Sequence, residues 1–180
     1  MNASQMIRLQ LNGQTVEALP GETLLQVAQR ENIDVPHLCY KTGLEPAGNC
    51  RACVVEVEGE RTLAASCCRQ AAHGMVVHTD SGKAIAAQKM VLELLLADMP
   101  DHANPKPLKS DNELTRWCQQ MGIEGTRFEA RAAVPADLSH PAIAVNMDHC
   151  IQCTRCVRAC REVQVNDVIG LAFRGKHAAI

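Results

Sequence analysis

Eight cysteines fall into two spaced runs, and that spacing constrains the chain more than any other feature. Cys39, Cys50, Cys53 and Cys67 follow C-x10-C-x2-C-x13-C, and Cys150, Cys153, Cys156 and Cys160 follow C-x2-C-x2-C-x3-C. Thiolates are soft ligands that select zinc, copper(I) or iron–sulfur centres. The first run suits a [2Fe–2S] cluster wrapped by a loop, with Gly43, Ala47, Gly48 and Ala52 small enough to let backbone N–H groups approach sulfide. Structural zinc is the competing reading, but zinc sites usually show two C-x2-4-C knuckles, and here only Cys50 and Cys53 form one. Cys67 and Cys68 are adjacent, so chemistry alone leaves the fourth ligand open between them; Cys68 reads as a spare buried thiol.

The second run is the bacterial ferredoxin pattern for [4Fe–4S]. In that pattern the first three cysteines serve one cluster and the fourth serves another. No further C-x2-C-x2-C precedes Ile180, and Arg161 stands where proline usually follows Cys160. Cys160 therefore either closes the first cluster or belongs to a second one completed downstream, and we expect the polypeptide to continue. Cys118, alone beside Trp117 in a helical stretch, reads as a core residue, and His37, two residues before Cys39, as a surface or neighbouring residue rather than a ligand.

The pattern between the cysteines predicts an α+β chain. Period-two alternation over 6–11 and 14–18, joined by Asn12-Gly13, predicts a hairpin. Glu22-Thr23 opens an amphipathic helix to about Asn32, Val54–Val57 and Arg61–Ser66 form a second hairpin around Gly59, and Met75–Thr79 is a last strand. Two hairpins, one helix and a long metal-bearing loop describe a β-grasp [2Fe–2S] ferredoxin domain over 1–80. A helical connector follows over 81–138, with helices at 84–98 and 112–121 and an irregular stretch at 125–141. Residues 139–180 form a ferredoxin-type [4Fe–4S] domain, part of it only, entered by 142–145. Aromatic residues make up 2% of the chain, so burial alone stabilises such small domains weakly and bound clusters would act as staples.

A formal net charge of −2 gives no reason to expect nucleic acid or anionic lipid as a partner. No apolar stretch is long enough for a membrane span, and the N-terminus lacks a signal-peptide pattern. Ten cysteines without such a signal point to a reducing, cytoplasmic setting. No G-x-G-x-x-G follows a strand, so substrate chemistry is expected outside these residues.

With its cysteine spacings and the Val91-Leu92-Glu93-Leu94-Leu95-Leu96 helix between them, the chain resembles one family. It comprises the N-terminal iron–sulfur region of the NADH:quinone oxidoreductase large subunit, of NAD-reducing hydrogenase diaphorases and of NAD-dependent formate dehydrogenase α subunits. The resemblance implies that Cys39, Cys50, Cys53 and Cys67 hold [2Fe–2S], that Cys150, Cys153 and Cys156 hold [4Fe–4S], and that Cys160 serves a second [4Fe–4S]. Between the domains the family usually carries H-x3-C-x2-C-x5-C for a further cluster. Here His102 matches, but Lys106, Lys109 and Thr115 stand at the cysteine positions, and neither an ammonium nor a hydroxyl replaces a thiolate. That cluster is expected to be missing, with His102 no ligand.

Formate dehydrogenase is therefore the first expectation. A molybdenum- or tungsten-pterin domain would follow in the same polypeptide. Partner subunits would supply FMN and NAD, with a small [2Fe–2S] subunit, in a hetero-oligomer. A hydrogenase or quinone-oxidoreductase diaphorase is the alternative, and a zinc-stabilised interaction module the reading from another class.

Overall fold

The computed structural model describes residues 6–100 and 112–180, which divide into two compact units. One comprises Met1–Tyr40 with Pro46–Gln88, the other Lys41–Glu45 with Lys89–Ile180.

The first unit is built on a five-stranded sheet of order β2-β1-β5-β3-β4. Strands β1 (Ile7–Leu11) and β2 (Gln14–Ala18) pair antiparallel through Asn12-Gly13, both at positive φ, the backbone that a tight two-residue hairpin requires. Leu9, Leu11, Val16 and Ala18 fall on the buried face and their neighbours on the exposed one. Strand β5 (Val76–His78) lies parallel to β1 and antiparallel to β3 (Val54–Val57). Asn12 locks this arrangement, donating from Nδ2 to Thr79 Oγ1 and accepting the Thr79 N–H at Oδ1, both at 2.8 Å. Strand β4 is only Ala64–Ala65, shorter than the sequence pattern suggests, because Arg61 and Thr62 are exposed in a bend before pairing begins.

Helix α1 (Leu24–Arg30) packs Leu24, Leu25, Val27 and Ala28 onto this sheet. Thr23 and Gln26 close a capping box at its start, satisfying N–H groups that the first turn leaves free. The large, fully buried side chains among the described residues are Leu, Val, Met and Thr, as a sequence so poor in aromatics requires.

Helix α2 (Gly82–Ala97) begins at Ser81, whose Oγ accepts the Ala84 N–H, and buries Leu92 and Leu96. In the second unit, α3 (Glu113–Gln120) starts on a capping box between Asn112 and Thr115. It ends in a Schellman turn: Gly122 sits at φ +68 and Ile123 N–H bonds the Cys118 carbonyl. The stretch expected to be irregular contains β6 (Asp137–His140), which pairs with β7 (Ile143–Val145). Every residue of β6 is exposed, so it carries none of the apolar alternation by which a strand is read. Beyond it a 3-10 turn (Met147–His149) enters the second cysteine run, which winds into the short helix α4 (Arg155–Arg158) and a π turn (Ala159–Val163).

Candidate metal centre

Cys39, Cys53 and Cys67 are at most 1% exposed, and Cys50 is half-buried. Cys39 and Cys50 lie at the two ends of the loop before β3, Cys53 directly precedes β3, and Cys67 follows β4. Pairing of Val54 with Ala65 brings these last two together, and their neighbours are locked as well: Ser66 N–H and Oγ–H both donate to the Cys53 carbonyl, the hydroxyl at 2.7 Å.

The sulfurs form one hydrogen-bonded group, Cys39 with Cys50 and Cys67, and Cys53 with Cys67. Cys39 is pulled far below the usual thiol pKa by the thiols of Cys50 and Cys67, and Cys53 is lowered to about 6 by Cys67. Cys50 and Cys67 are raised, first because their protons are held on those neighbours and then by burial. Backbone N–H groups add to the group: those of Asn49 and Cys50 favour the Cys39 thiolate, those of Ala52 and Cys39 the Cys50 thiolate. The Cys39 N–H reaches Cys50 Sγ at 3.5 Å. Arg51 at φ +59 turns the C-x2-C backbone inward, the concave arrangement that binds anions and cluster sulfide. Four clustered thiols, a dry setting and converging N–H donors fit a [2Fe–2S] group. Among the described residues no set of three or more His, Cys, Asp or Glu side chains is placed around one metal ion.

Cys68 corrects the expectation of a spare buried thiol: it is exposed. Its N–H bonds back to the Ala65 carbonyl, a turn that sends Cys67 inward and Cys68 outward, with the two sulfurs 3.6 Å apart. A Cβ on Gly48 would come within 2.8 Å of Cys68 Sγ, so any larger residue there would have to displace that sulfur. His37 Nδ1 meets the Val35 carbonyl at 2.8 Å and its ring stands edge-on to Tyr40.

In the second run Cys150 and Cys153 are half-buried and Cys156 is exposed. Burial raises the Cys150 thiol pKa first, and the neighbouring Cys153 and Cys156 sulfurs raise it further, so these three share one field. Gln152 and Thr154 both take positive φ, and the Gln152 N–H is aimed at the Cys150 sulfur. Three thiols around inward-turned amides fit one face of a [4Fe–4S] group. Cys160 is buried against other partners: its S–H donates to Asn166 Oδ1 at 2.8 Å and it accepts the Val168 N–H at 3.2 Å.

Three surrounding residues were not legible in the sequence. Arg131, Asp148 and Gln152 form a polar frame about Cys150, with Gln152 Nε2 on Asp98 Oδ2 at 3.1 Å and Arg131 Nη2 on Asp148 Oδ1 at 2.8 Å. Cys118 is fully buried, as a core residue should be, and burial pushes its thiol up to about 12. Thr115 is fully buried too, its hydroxyl donating to the Asn112 carbonyl at 3.1 Å within the α3 cap. His102, Lys106 and Lys109 lie outside the described residues.

Residues 4–82 match the model of a 2Fe-2S iron-sulfur cluster binding domain, and residues 140–180 match the ferredoxin-like domain of NADH-quinone oxidoreductase subunit 3. The chain belongs to the iron–sulfur protein group that these two domains define. It is 33% identical over 176 residues to an NADH-quinone oxidoreductase subunit of Rickettsia bellii, a match covering 97% of this chain and 26% of that protein. It is 35% identical over 187 residues to the NADP-reducing hydrogenase subunit HndD of Solidesulfovibrio fructosivorans, covering 97% and 31%. Among solved structures, an NAD+-reducing [NiFe]-hydrogenase in the H2-reduced state superposes with a TM-score of 0.81 at 28% identity, covering 96% of this chain and 73% of that one. The chain thus spans about a quarter to a third of the length of the curated relatives it matches. It is an α+β chain with a [2Fe–2S] domain and a ferredoxin-like domain of the [4Fe–4S] type. Among the described residues no helix is long and apolar enough to cross a membrane.

Proposed function

We propose that this chain is the electron-relay segment of a cytoplasmic, NAD-dependent formate dehydrogenase α subunit. On this reading Cys39, Cys50, Cys53 and Cys67 hold the [2Fe–2S] cluster. Cys150, Cys153 and Cys156 hold a [4Fe–4S] cluster, and Cys160 serves a second one completed by a later motif. The observation that carries the reading is the single hydrogen-bonded group made by the four thiols of the first run. Cys160 supports its part through contacts to Asn166 and Val168, turned to its own surroundings. Residues 1–80, 81–138 and 139–180 are then three functional parts, the middle one without a cluster.

When bound, the clusters supply one-electron redox chemistry. The chain's own residues bury the thiolates, exclude water from Cys39, Cys53 and Cys67, and direct amide N–H dipoles at sulfur, which stabilises added negative charge. Substrate conversion belongs elsewhere: a molybdenum- or tungsten-pterin site in the same polypeptide, and flavin and NAD on a partner subunit, with a small [2Fe–2S] subunit beside it. Thr115 supports the choice within the family. A buried hydroxyl committed to the α3 cap leaves that position without a metal ligand, whereas a respiratory subunit would be expected to keep its full set of clusters.

The second reading, a diaphorase subunit of an NAD-reducing hydrogenase, is favoured by the superposition on the hydrogenase chain. Anaerobic addition of formate, hydrogen or NADH to the full-length protein in its complex separates them. Formate should bleach the visible cluster absorbance and raise the reduced-cluster EPR signals. Bleaching by hydrogen and not by formate would replace the first reading with the second.

A further inference from the structure

Arg131 stands in the polar frame beside the second cysteine run, and its chemistry is unusual for a site meant only to hold thiolates. The side chain is 7% exposed. Its Nη2 donates to the Met147 carbonyl at 2.9 Å and to Asp148 Oδ1 at 2.8 Å. The Cys150 N–H donates to that same Met147 carbonyl at 3.2 Å, so the guanidinium and the Cys150 backbone nitrogen lie within about 6 Å of each other. Arg131 Nε is buried without a hydrogen-bond partner among the described residues, so the guanidinium is not fully committed to its neighbours.

The residue is also held firmly. Its N–H bonds the Ala97 carbonyl at the end of α2, and the next residue, Asp98, holds Gln152, whose N–H faces the Cys150 sulfur. Asp148 is fixed in turn by the Val134 N–H, at 3.1 and 3.2 Å to its two oxygens. One helix end therefore anchors both the cation and the cysteine loop.

We propose that Arg131 is a positioning residue that sets the reduction potential of the [4Fe–4S] centre held by Cys150, Cys153 and Cys156, with Asp148 partly offsetting its charge. The proposal rests on the reading that these three cysteines hold that centre. One-electron reduction adds one negative charge behind three thiolates, and a buried cation nearby stabilises the reduced form more than the oxidised one. Burial keeps solvent from screening it.

The test is an EPR-monitored redox titration of the full-length, anaerobically purified protein. Arg131→Gln should lower the midpoint of the [4Fe–4S] signal. At the wild-type midpoint its reduced-to-oxidised ratio should fall about tenfold, about 59 mV for a one-electron couple. Asp148→Asn should move it the opposite way, and Arg131→Lys, which keeps the charge, should stay nearest wild type. Lys176→Gln removes an exposed cation lining the same cavity of about 350 Å³ as Arg131, and should leave the midpoint in place. A [4Fe–4S] signal whose midpoint is equal in wild type, Arg131→Gln and Asp148→Asn overturns the proposal alone. Wild-type protein lacking that signal while holding its iron elsewhere overturns the cysteine reading and this proposal together. Should Arg131→Gln fail to accumulate, Asp148→Asn decides the matter: a raised midpoint beside an Arg131→Lys midpoint at the wild-type value supports the proposal, and an unmoved Asp148→Asn midpoint overturns it.

Discussion

Cys118 shows how one buried atom can be read for both chemistry and stability. Its thiol is pushed up from an ordinary value of 9.0 to about 12, first by burial and then by the nearby Glu93 carboxylate. A raised folded-state pKa means that the neutral thiol is favoured by folding. That contribution is complete below pH 9.0 and is lost as the pH climbs towards about 12, since the unfolded chain ionises first. Cys118→Ser, which cannot ionise there, should lose that alkaline limb in chemical denaturation measured from pH 8 to 11. It should also cost roughly 1–3 kcal/mol at neutral pH by burying a hydroxyl. Iron per chain should stay the same; a loss of iron would make Cys118 a ligand. Gly48 gives a second residue-level prediction. It sits at φ +61 with Cys68 Sγ 2.8 Å from where a Cβ would be. Gly48→Ala should lower the melting temperature through both strain and collision, and Cys68→Ala added to it should restore the collision part only. The left-handed backbone leaves about 1–2 kcal/mol unrecovered. Full recovery would show that the φ carries no strain.

The elements differ in how plainly their residues announced them. The β1–β2 hairpin was readable because Asn12-Gly13 and strict alternation act together, and α1 because its capping box and apolar face are local in sequence. The two cysteine runs were readable for the same reason, since ligand spacing is a local property. Strand β6 and the frame of Arg131, Asp148 and Gln152 were not: an exposed strand has no alternation, and a buried arginine in an irregular stretch looks like any surface cation until its partners are placed. Cys68 was misread as buried because adjacent cysteines share their composition but not their face. Gln88 is of the same hidden kind. From within α2 its side chain, 2% exposed, donates to the Val54 carbonyl at 2.9 Å and the Thr79 carbonyl at 3.2 Å. Gln88→Leu leaves two carbonyls beside β3 and β5 without this donor, and should destabilise the first unit by about 1–3 kcal/mol. Hydrogen exchange should rise at β3 and β5 before it rises in α3, and unchanged exchange at β3 would show that the bonds carry no net stability.

At the scale of the whole molecule, two compact units each carry one cysteine run, and neither has an aromatic core to fall back on. Small units whose largest fully buried side chains are mostly Leu and Val gain limited stability from burial, so the energy of binding iron becomes a large share of their folding energy. Losing iron from one run should then loosen the unit that carries it. Cys53→Ser removes a thiol that is 1% exposed and hydrogen-bonded to Cys67, at the very start of β3. It should eliminate the [2Fe–2S] EPR signal, lower iron by about two atoms per chain and melt the first unit well below its wild-type temperature. Cys153→Ser, in the second run, should lower iron by about four atoms while the [2Fe–2S] signal persists. Paired iron analysis and EPR on the two variants read the outcome directly. If either substitution removed both signals, the two runs would be bound up in one cooperative structure; if Cys53→Ser kept its iron and its spectrum, the first run's ligand set would have to be drawn from other residues.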